Sequence, residues 1–155
     1  MTADEVGVPA RAGLPTRVVV AVDDAPASLR AARAAVAVVA AAHARLLVVT
    51  VVQDGAVMRA LSQASTVGKG PERLRTAAEA VLRHVEGLAA AAGVRAESVE
   101  LDGDPGHKIV SEVRRWAADL VVVGRCERTG PSHPALGRVA QHVIELGDVP
   151  VLVVP

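Results

Sequence analysis

Short apolar runs alternate along the chain with segments in which apolar residues recur every three or four positions. Four such runs lie at residues 17–24, 46–52, 119–124 and 149–154, and a fifth segment at 94–101 is more polar and charged, which suits a strand at the edge of the sheet. Their β-branched content predicts strands, and the near-continuous apolar sequence of RVVVAVDD and LLVVTVV is typical of strands buried on both faces. Because strands and helices alternate throughout, the pattern predicts an α/β domain with a parallel sheet covered by helices on both faces.

Four segments between these runs have helical spacing. Their predicted beginnings are Pro26, Glu72, the pair Asp104 and Pro105, and the residues just before Val139. The second helix has Leu74 on its apolar face and a stop at Gly93, and the last helix has Leu146 on its inward face. Residues 53–70 lack this periodicity and are rich in small polar side chains, so we interpret them as a long loop.

Charge and aromatic content restrict the partners of this 155-residue chain. Seventeen basic residues balance 17 acidic ones, and Trp116 is the only aromatic residue of the Phe, Trp and Tyr class. A nucleic-acid partner generally needs a basic surface or aromatic stacking platforms, so neither mode of binding is expected. The longest apolar run, residues 34–42, is far shorter than the about 20 residues that span a bilayer. We therefore expect neither a nucleic-acid nor a membrane partner.

The first residues and the single cysteine bear on domain organisation and compartment. Residues 1–16 lack the apolar core of a signal peptide, and we predict a flexible tail there, followed by one domain over residues 17–155. Cys126 is the only cysteine, so it can form neither an internal disulfide nor a multi-thiolate zinc site. This cysteine usage favours a reducing compartment, and we expect the cytoplasm.

The last strand combines an aliphatic sequence with an expected position at the edge of the sheet. An uncovered apolar edge of this kind invites pairing with another strand. Pairing of two copies of the chain through this strand predicts a homodimer, whereas cover by the tail or by a helix is the alternative. The candidate contact residues are Val149, Val151, Leu152, Val153 and Val154.

No motif in the chain predicts a catalytic group or a metal site. The GKG tripeptide at 68–70 lacks the earlier glycine and the following hydroxyl of a phosphate loop. Cys126 and His133 are near neighbours in sequence, but catalytic pairs usually meet from distant parts of a chain. Slow nucleotide hydrolysis would need a base and a magnesium ligand, and neither is identifiable. We therefore expect a protein that is not an enzyme and that requires no cofactor.

Two carboxylates follow the first predicted strand. Asp23 and Asp24 lie at its carboxyl end, where an open α/β sheet binds its ligands. Asp24 is also placed to cap the helix that follows. Both roles are compatible if Asp23 faces the crevice while Asp24 stabilises the start of the helix.

Taken together, these segments resemble the universal stress protein family. The resemblance rests on RVVVAVDDAPASLRAARAA, LLVVTVV, GDPG, DLVVVG, ALGRVAQHVI and VPVLVVP, in that order. It implies one three-layer domain with a five-stranded parallel sheet of order 3-2-1-4-5, a flavodoxin-like and adenine nucleotide alpha hydrolase-like arrangement. It also implies a cytoplasmic stress role and a homodimer through the last strand.

Members of this family that bind ATP carry a loop of the form G, two residues, G, nine residues, G, then Ser or Thr. Gly124 and Gly137 match the first and third glycines, whereas Glu127 and Arg138 replace the second glycine and the hydroxyl. A carboxylate about 4 Å from a phosphate charge costs about 4 kcal/mol at an effective dielectric constant of about 20. We therefore predict that ATP does not bind in the family's usual mode. Arg138 and Arg125 could still donate to a smaller anion.

The adenosine half of the family's site is better preserved. By resemblance, Asp23 matches the acidic residue after the first strand and Val51 matches an aliphatic residue that packs near adenine, while Ala25 replaces a frequent hydroxyl. Two hypotheses follow: a non-catalytic regulatory module acting on an unknown protein partner, or a sensor of ATP, AMP or cyclic AMP. The sensor would bind its nucleotide through Asp23, Val51, Gly124, Arg125, Gly137, Arg138 and Val139.

Overall fold

The computed structural model describes residues 13–53, 70–125 and 136–155. Most of the predicted N-terminal tail, nearly all of the predicted loop at 53–70, and Glu127 lie outside these ranges. The domain boundary predicted at residue 17 stays a prediction.

Five parallel strands form one sheet in the order β3-β2-β1-β4-β5, as the family resemblance implied. The strands are β1 (Arg17–Ala21), β2 (Arg45–Val52), β3 (Ala96–Asp102), β4 (Leu120–Gly124) and β5 (Val151–Val154). Val19 of the central strand pairs with Leu47 on one side and Val121 on the other. From β1 the chain adds β2 and β3 on one side of the sheet, and it then crosses to add β4 and β5 on the other side. The carboxyl ends of β1 and β4 therefore flank the switch point at which such sheets bind ligands.

Within the described ranges, four helices cover the two faces of the sheet. They are α1 (Pro26–Ala42), α2 (Gly70–Ala91), α3 (Pro105–Arg115) and α4 (Arg138–Leu146). Val18 and Val20 of β1 point towards α1 and α2, whereas Val19 packs with α3 and α4 on the opposite face. This alternation explains why β1 is apolar at successive positions, because each of its faces meets a helical layer.

Small side chains set the distance between α1 and the sheet. Ala31, Ala32 and Ala35 are fully buried against β1 and β4. Alanine on the inward face lets the helix approach closely, and valine on the strands fills the remaining space without an aromatic side chain. The only large ring, Trp116, is buried at the end of α3 and its carbonyl accepts a hydrogen bond from Arg17 Nε at 2.8 Å.

Two leucines predicted to face the core are instead substantially exposed. Leu74 is 45% exposed and Leu146 is 40% exposed. Leu74 lies in the first turns of α2 and borders a surface groove at the carboxyl edge of the sheet. Leu146 is the last residue of α4, just before the turn to β5. In both cases the helical period is correct, but each leucine lies near one end of its helix, and a helical period does not record how deeply each turn is buried.

Candidate functional site

A groove lies at the carboxyl ends of β1, β2 and β4, between the beginnings of α1, α3 and α4. Its lining includes Asp23, Ser28, Val51, Pro105, Gly124 and Val139. The groove continues towards α2, where Leu74 and Val81 line it next to Val51. Four of the residues predicted from sequence, Asp23, Val51, Gly124 and Val139, are therefore brought together around one opening.

Asp23 is held in place by two hydrogen bonds to the start of α1. Its carboxylate oxygen Oδ1 accepts from the backbone N–H of Ala25 at 2.9 Å, and its own N–H donates to Ser28 Oγ at 2.8 Å. The side chain remains exposed at the mouth of the groove. One oxygen of the carboxylate is thus engaged with the backbone, and Oδ2 remains as an acceptor for a hydroxyl or an amine of a ligand.

The predicted helix cap at Asp24 is wrong. The N-cap position of α1 belongs to Ala25, which makes no side-chain capping bond, and Pro26 follows as the first helical residue. Asp23, two residues before the cap position, takes the N–H of Ala25 instead. The sequence alone did not decide which carboxylate accepts from the first turn of α1, because both Asp23 and Asp24 directly precede it.

Apolar side chains form the walls of the groove beside Asp23. Val51 and Val139 are both partly buried and pack against the core on the α3 and α4 face. Val51 comes from β2 and Val139 from the first turn of α4, so two separate elements present aliphatic surface to the same opening. An apolar slot with a fixed carboxylate at its rim suits a flat ring that carries a polar substituent.

Gly124 ends β4 at a point where the backbone of α1 approaches closely. A Cβ at this position would lie 2.7 Å from the carbonyl carbon and oxygen of Ala27 and 2.9 Å from the nitrogen of Ser28. Packing of the sheet against α1 therefore already requires glycine here, independently of any ligand. After it, Arg125 donates its backbone N–H to Val154 O at 2.7 Å and extends the β4–β5 ladder.

Gly137 and Arg138 stand at the beginning of α4. Gly137 is the N-cap residue, with φ of −64° and ψ of 153°, a conformation that any residue adopts. Arg138 is the first helical residue and is exposed. The N–H groups of this first turn, which have no partner within the helix, and the positive end of the helix favour an anion, and the Arg138 guanidinium adds to that preference.

A polar cluster joins α3 to α4 beside the groove. Asp104 caps α3, and its Oδ2 accepts from the backbone N–H of His107 at 3.1 Å and from His107 Nδ1 at 2.7 Å. His142 of α4 packs directly on Gly106, and its ring centroid lies 5.6 Å from that of His107. Asp104 and Pro105 begin the helix as the sequence predicted. Within the described ranges, no group of three or more His, Cys, Asp or Glu side chains is arranged to hold a metal ion.

The pKa of Asp104 is lowered, chiefly by the hydrogen bond from the His107 side chain and then by the bond from the His107 backbone. A depressed carboxyl pKa in the folded protein contributes stability that is present above the unfolded value and is lost on acidification. We expect the difference in free energy of unfolding between the wild type and Asp104→Ala to be largest near neutral pH and to shrink as the pH falls below 3.8. Urea unfolding of both proteins across this range measures it, with His107→Ala expected to show a smaller pH dependence than the wild type. A difference that stays constant with pH would contradict this assignment.

Sequence reasoning did not single out Ser28, which is buried and lies between Asp23 and Gly124. Its signal was a serine in the third position of a helix that begins three residues after the candidate ligand carboxylate Asp23. Glu127, the residue on which the prediction against ATP depends, lies outside the described residues.

In the part of the chain that the structure covers, no helix has the length and apolar content needed to cross a bilayer.

Comparison with known proteins places the whole described fold in one family. The model of the universal stress protein family matches residues 15–155. A universal stress protein of Methanocaldococcus jannaschii is 36% identical over 83 residues, which cover 54% of this chain and 49% of that protein. The chain spans about half the length of the curated relatives it matches.

Solved structures agree with the fold over a longer stretch. Universal stress protein UspA from Lactobacillus plantarum superimposes with a TM-score of 0.76 at 22% identity, covering 90% of this chain and 97% of that one. A universal stress protein solved in complex with cAMP gives a TM-score of 0.69 at 28% identity and covers 92% of this chain and 98% of its own.

Proposed function

This chain belongs to the universal stress protein family, and from that premise we propose that it is a stress-response module that acts without catalysis and binds an adenosine monophosphate or cyclic monophosphate. The main observation in support of a nucleotide ligand is the fixed Asp23 carboxylate at the rim of an apolar slot, at the switch point of the sheet. A relative of 28% identity with the same fold was solved with cAMP, which supports this ligand class.

The adenosine half of the ligand is accounted for by described residues. The slot between Val51 and Val139 accepts a flat purine, and burial of its faces against aliphatic side chains provides the apolar part of the binding energy. Asp23 Oδ2 then accepts a hydrogen bond from a ribose hydroxyl or from the exocyclic amine of adenine. Bonds to a charged acceptor of this kind contribute about 1.5 to 3 kcal/mol each.

The phosphate half favours a ligand with few phosphates. The start of α4 offers backbone N–H groups, a positive dipole end and the Arg138 guanidinium, which together suit a single phosphate group. A triphosphate would also need the positions around residue 127, where the sequence has a glutamate in place of the family's glycine. Mutual repulsion between that carboxylate and the additional phosphates is the physical basis for proposing that ATP is not bound in the family's usual mode.

Assembly, compartment and output complete the proposal. The exposed edge of β5, with Leu152 38% exposed, supports a homodimer that pairs two copies through this strand. A chain with one cysteine fits the cytoplasm, and a module without catalytic groups would act through a protein partner whose affinity changes with the bound nucleotide.

Removing the charge of Asp23 tests the nucleotide site. AMP at 100 times its dissociation constant is expected to stabilise the wild type by about 2.7 kcal/mol, which is readily detected as a raised midpoint in a thermal melt. Asp23→Asn retains an oxygen for the N–H of Ala25 but loses the charged acceptor, so we expect the shift produced by AMP or cyclic AMP to fall markedly.

Asp148→Asn is the matched control, because it removes the charge of an exposed carboxylate at the opposite end of the sheet. Asp148 lies between α4 and β5 and pairs with Arg114 of α3. Its nucleotide-induced shift should equal that of the wild type. Equal shifts in the wild type and in Asp23→Asn would refute the assigned site.

A further inference from the structure

Ser28 is a buried hydroxyl in the first turn of α1, with 8% of its surface exposed. Its Oγ accepts the backbone N–H of Asp23 at 2.8 Å, and its own N–H donates to Ala25 O at 3.0 Å. A serine in the third helical position can serve the helix itself, but here its hydroxyl reaches back to Asp23, two residues after the end of β1. The hydrogen bond therefore ties the helix to the chain that leads into it.

This bond fixes the backbone from which the Asp23 carboxylate projects. With its N–H held by Ser28 and its Oδ1 held by the N–H of Ala25, Asp23 has both its main chain and one carboxylate oxygen restrained. A restrained acceptor loses less conformational entropy when a ligand binds, which improves affinity without any new contact to the ligand.

The same turn also packs against the last residue of β4. The positions of the Ser28 nitrogen and the Ala27 carbonyl leave no room for a side chain at residue 124. The first turn of α1 thus contacts two residues that line the proposed ligand groove, Asp23 and Gly124.

We propose that Ser28 is a positioning residue for the nucleotide site, which it serves by orienting Asp23 and not by touching the ligand. The identity of the ligand in this inference rests on the proposed function, whereas the restraint of Asp23 by Ser28 does not depend on any ligand. It predicts that the effect of Ser28 on affinity requires the Asp23 carboxylate.

The test is a double-mutant cycle with AMP as the probe. Ser28→Ala removes one oxygen atom without adding bulk, and we expect it to weaken AMP binding about five- to tenfold in the wild-type background, the magnitude of one lost hydrogen bond. In the Asp23→Asn background the same substitution should change the affinity less than twofold, because the charged acceptor that it orients is absent. A general structural defect would weaken binding equally in both backgrounds, and that result would overturn the proposal.

A second measurement needs no ligand. Amide hydrogen exchange followed by NMR should show faster exchange of the Asp23 and Ala25 N–H groups in Ser28→Ala. Ser98→Ala is the control, because it removes a hydroxyl on the edge strand β3 that contacts Glu86 of α2, and exchange at Asp23 and Ala25 should be unchanged in it. If the wild type binds no nucleotide, the proposed function is wrong, but this measurement still tests whether Ser28 restrains Asp23. Unchanged exchange at Asp23 in Ser28→Ala would overturn the inference by itself.

Discussion

Gly124→Ala is expected to lower the free energy of unfolding by about 2 to 3 kcal/mol, because the added carbon would lie 2.7 Å from backbone atoms of Ala27 and 2.9 Å from the nitrogen of Ser28. These neighbours are main-chain atoms of a packed helix, so they cannot rotate away as a flexible side chain would. Relief requires a shift of the start of α1 relative to β4, which would also displace Asp23 and the proposed ligand site. Equilibrium urea unfolding measures the stability, and a loss of the AMP-induced thermal shift would accompany it.

Gly87→Ala is the matched control. Gly87 lies inside α2, is exposed, and has no atom within 4 Å of the position that a Cβ would take. Replacing an exposed helical glycine by alanine is expected to stabilise the protein by about 0.5 to 1 kcal/mol. If Gly124→Ala is as stable as the wild type, or if both substitutions cost the same, the close approach of α1 to β4 is not the constraint described here.

Leu152→Asp is expected to convert the proposed homodimer to monomers at micromolar protein concentration. Leu152 lies in the middle of β5, pairs with Val122 on its inner side, and is 38% exposed. In an edge-to-edge dimer its side chain would meet its counterpart across the two-fold axis, and two like charges buried there would oppose association. Sedimentation velocity measures the change directly.

Leu74→Asp provides the comparison for this experiment, because Leu74 is exposed to a similar extent, at 45%, but lies on α2 away from β5. It should leave the sedimentation coefficient of the dimer unchanged. A dimer that survives Leu152→Asp, or a wild type that sediments as a monomer, would contradict assembly through the β5 edge.

The sequence was sufficient for the architecture because each element has its own local signal. Four apolar runs and one more polar segment identified the five strands, and the family resemblance supplied their order, which the sheet confirms. Start signals at Pro26 and Asp104 located two helices to within one residue. The inward assignments of Leu74 and Leu146 failed because a helical period records which face is apolar and not how deeply each turn along the helix is buried.

At the site, the sequence identified groups that a ligand would touch but not the contacts that position them. Asp23 follows from its place after the first strand and Val51 from the family resemblance, whereas the choice between Asp23 and Asp24 at the start of α1 depends on the conformation of one turn. Ser28 was overlooked because a serine near a helix start has many ordinary roles, and only the distance to Asp23 reveals its bond. Likewise, the packing of His142 on Gly106 joins residues 36 positions apart that no local pattern relates.

Calorimetric titration of the wild type with AMP, cyclic AMP and ATP, each with and without magnesium, is the decisive experiment for the nucleotide site. We expect one AMP or cyclic AMP bound per chain, weaker binding of ATP, and no release of phosphate during the titration. Absence of binding for all three nucleotides would contradict the nucleotide site, and ATP as the tightest ligand would contradict the proposed preference for few phosphates.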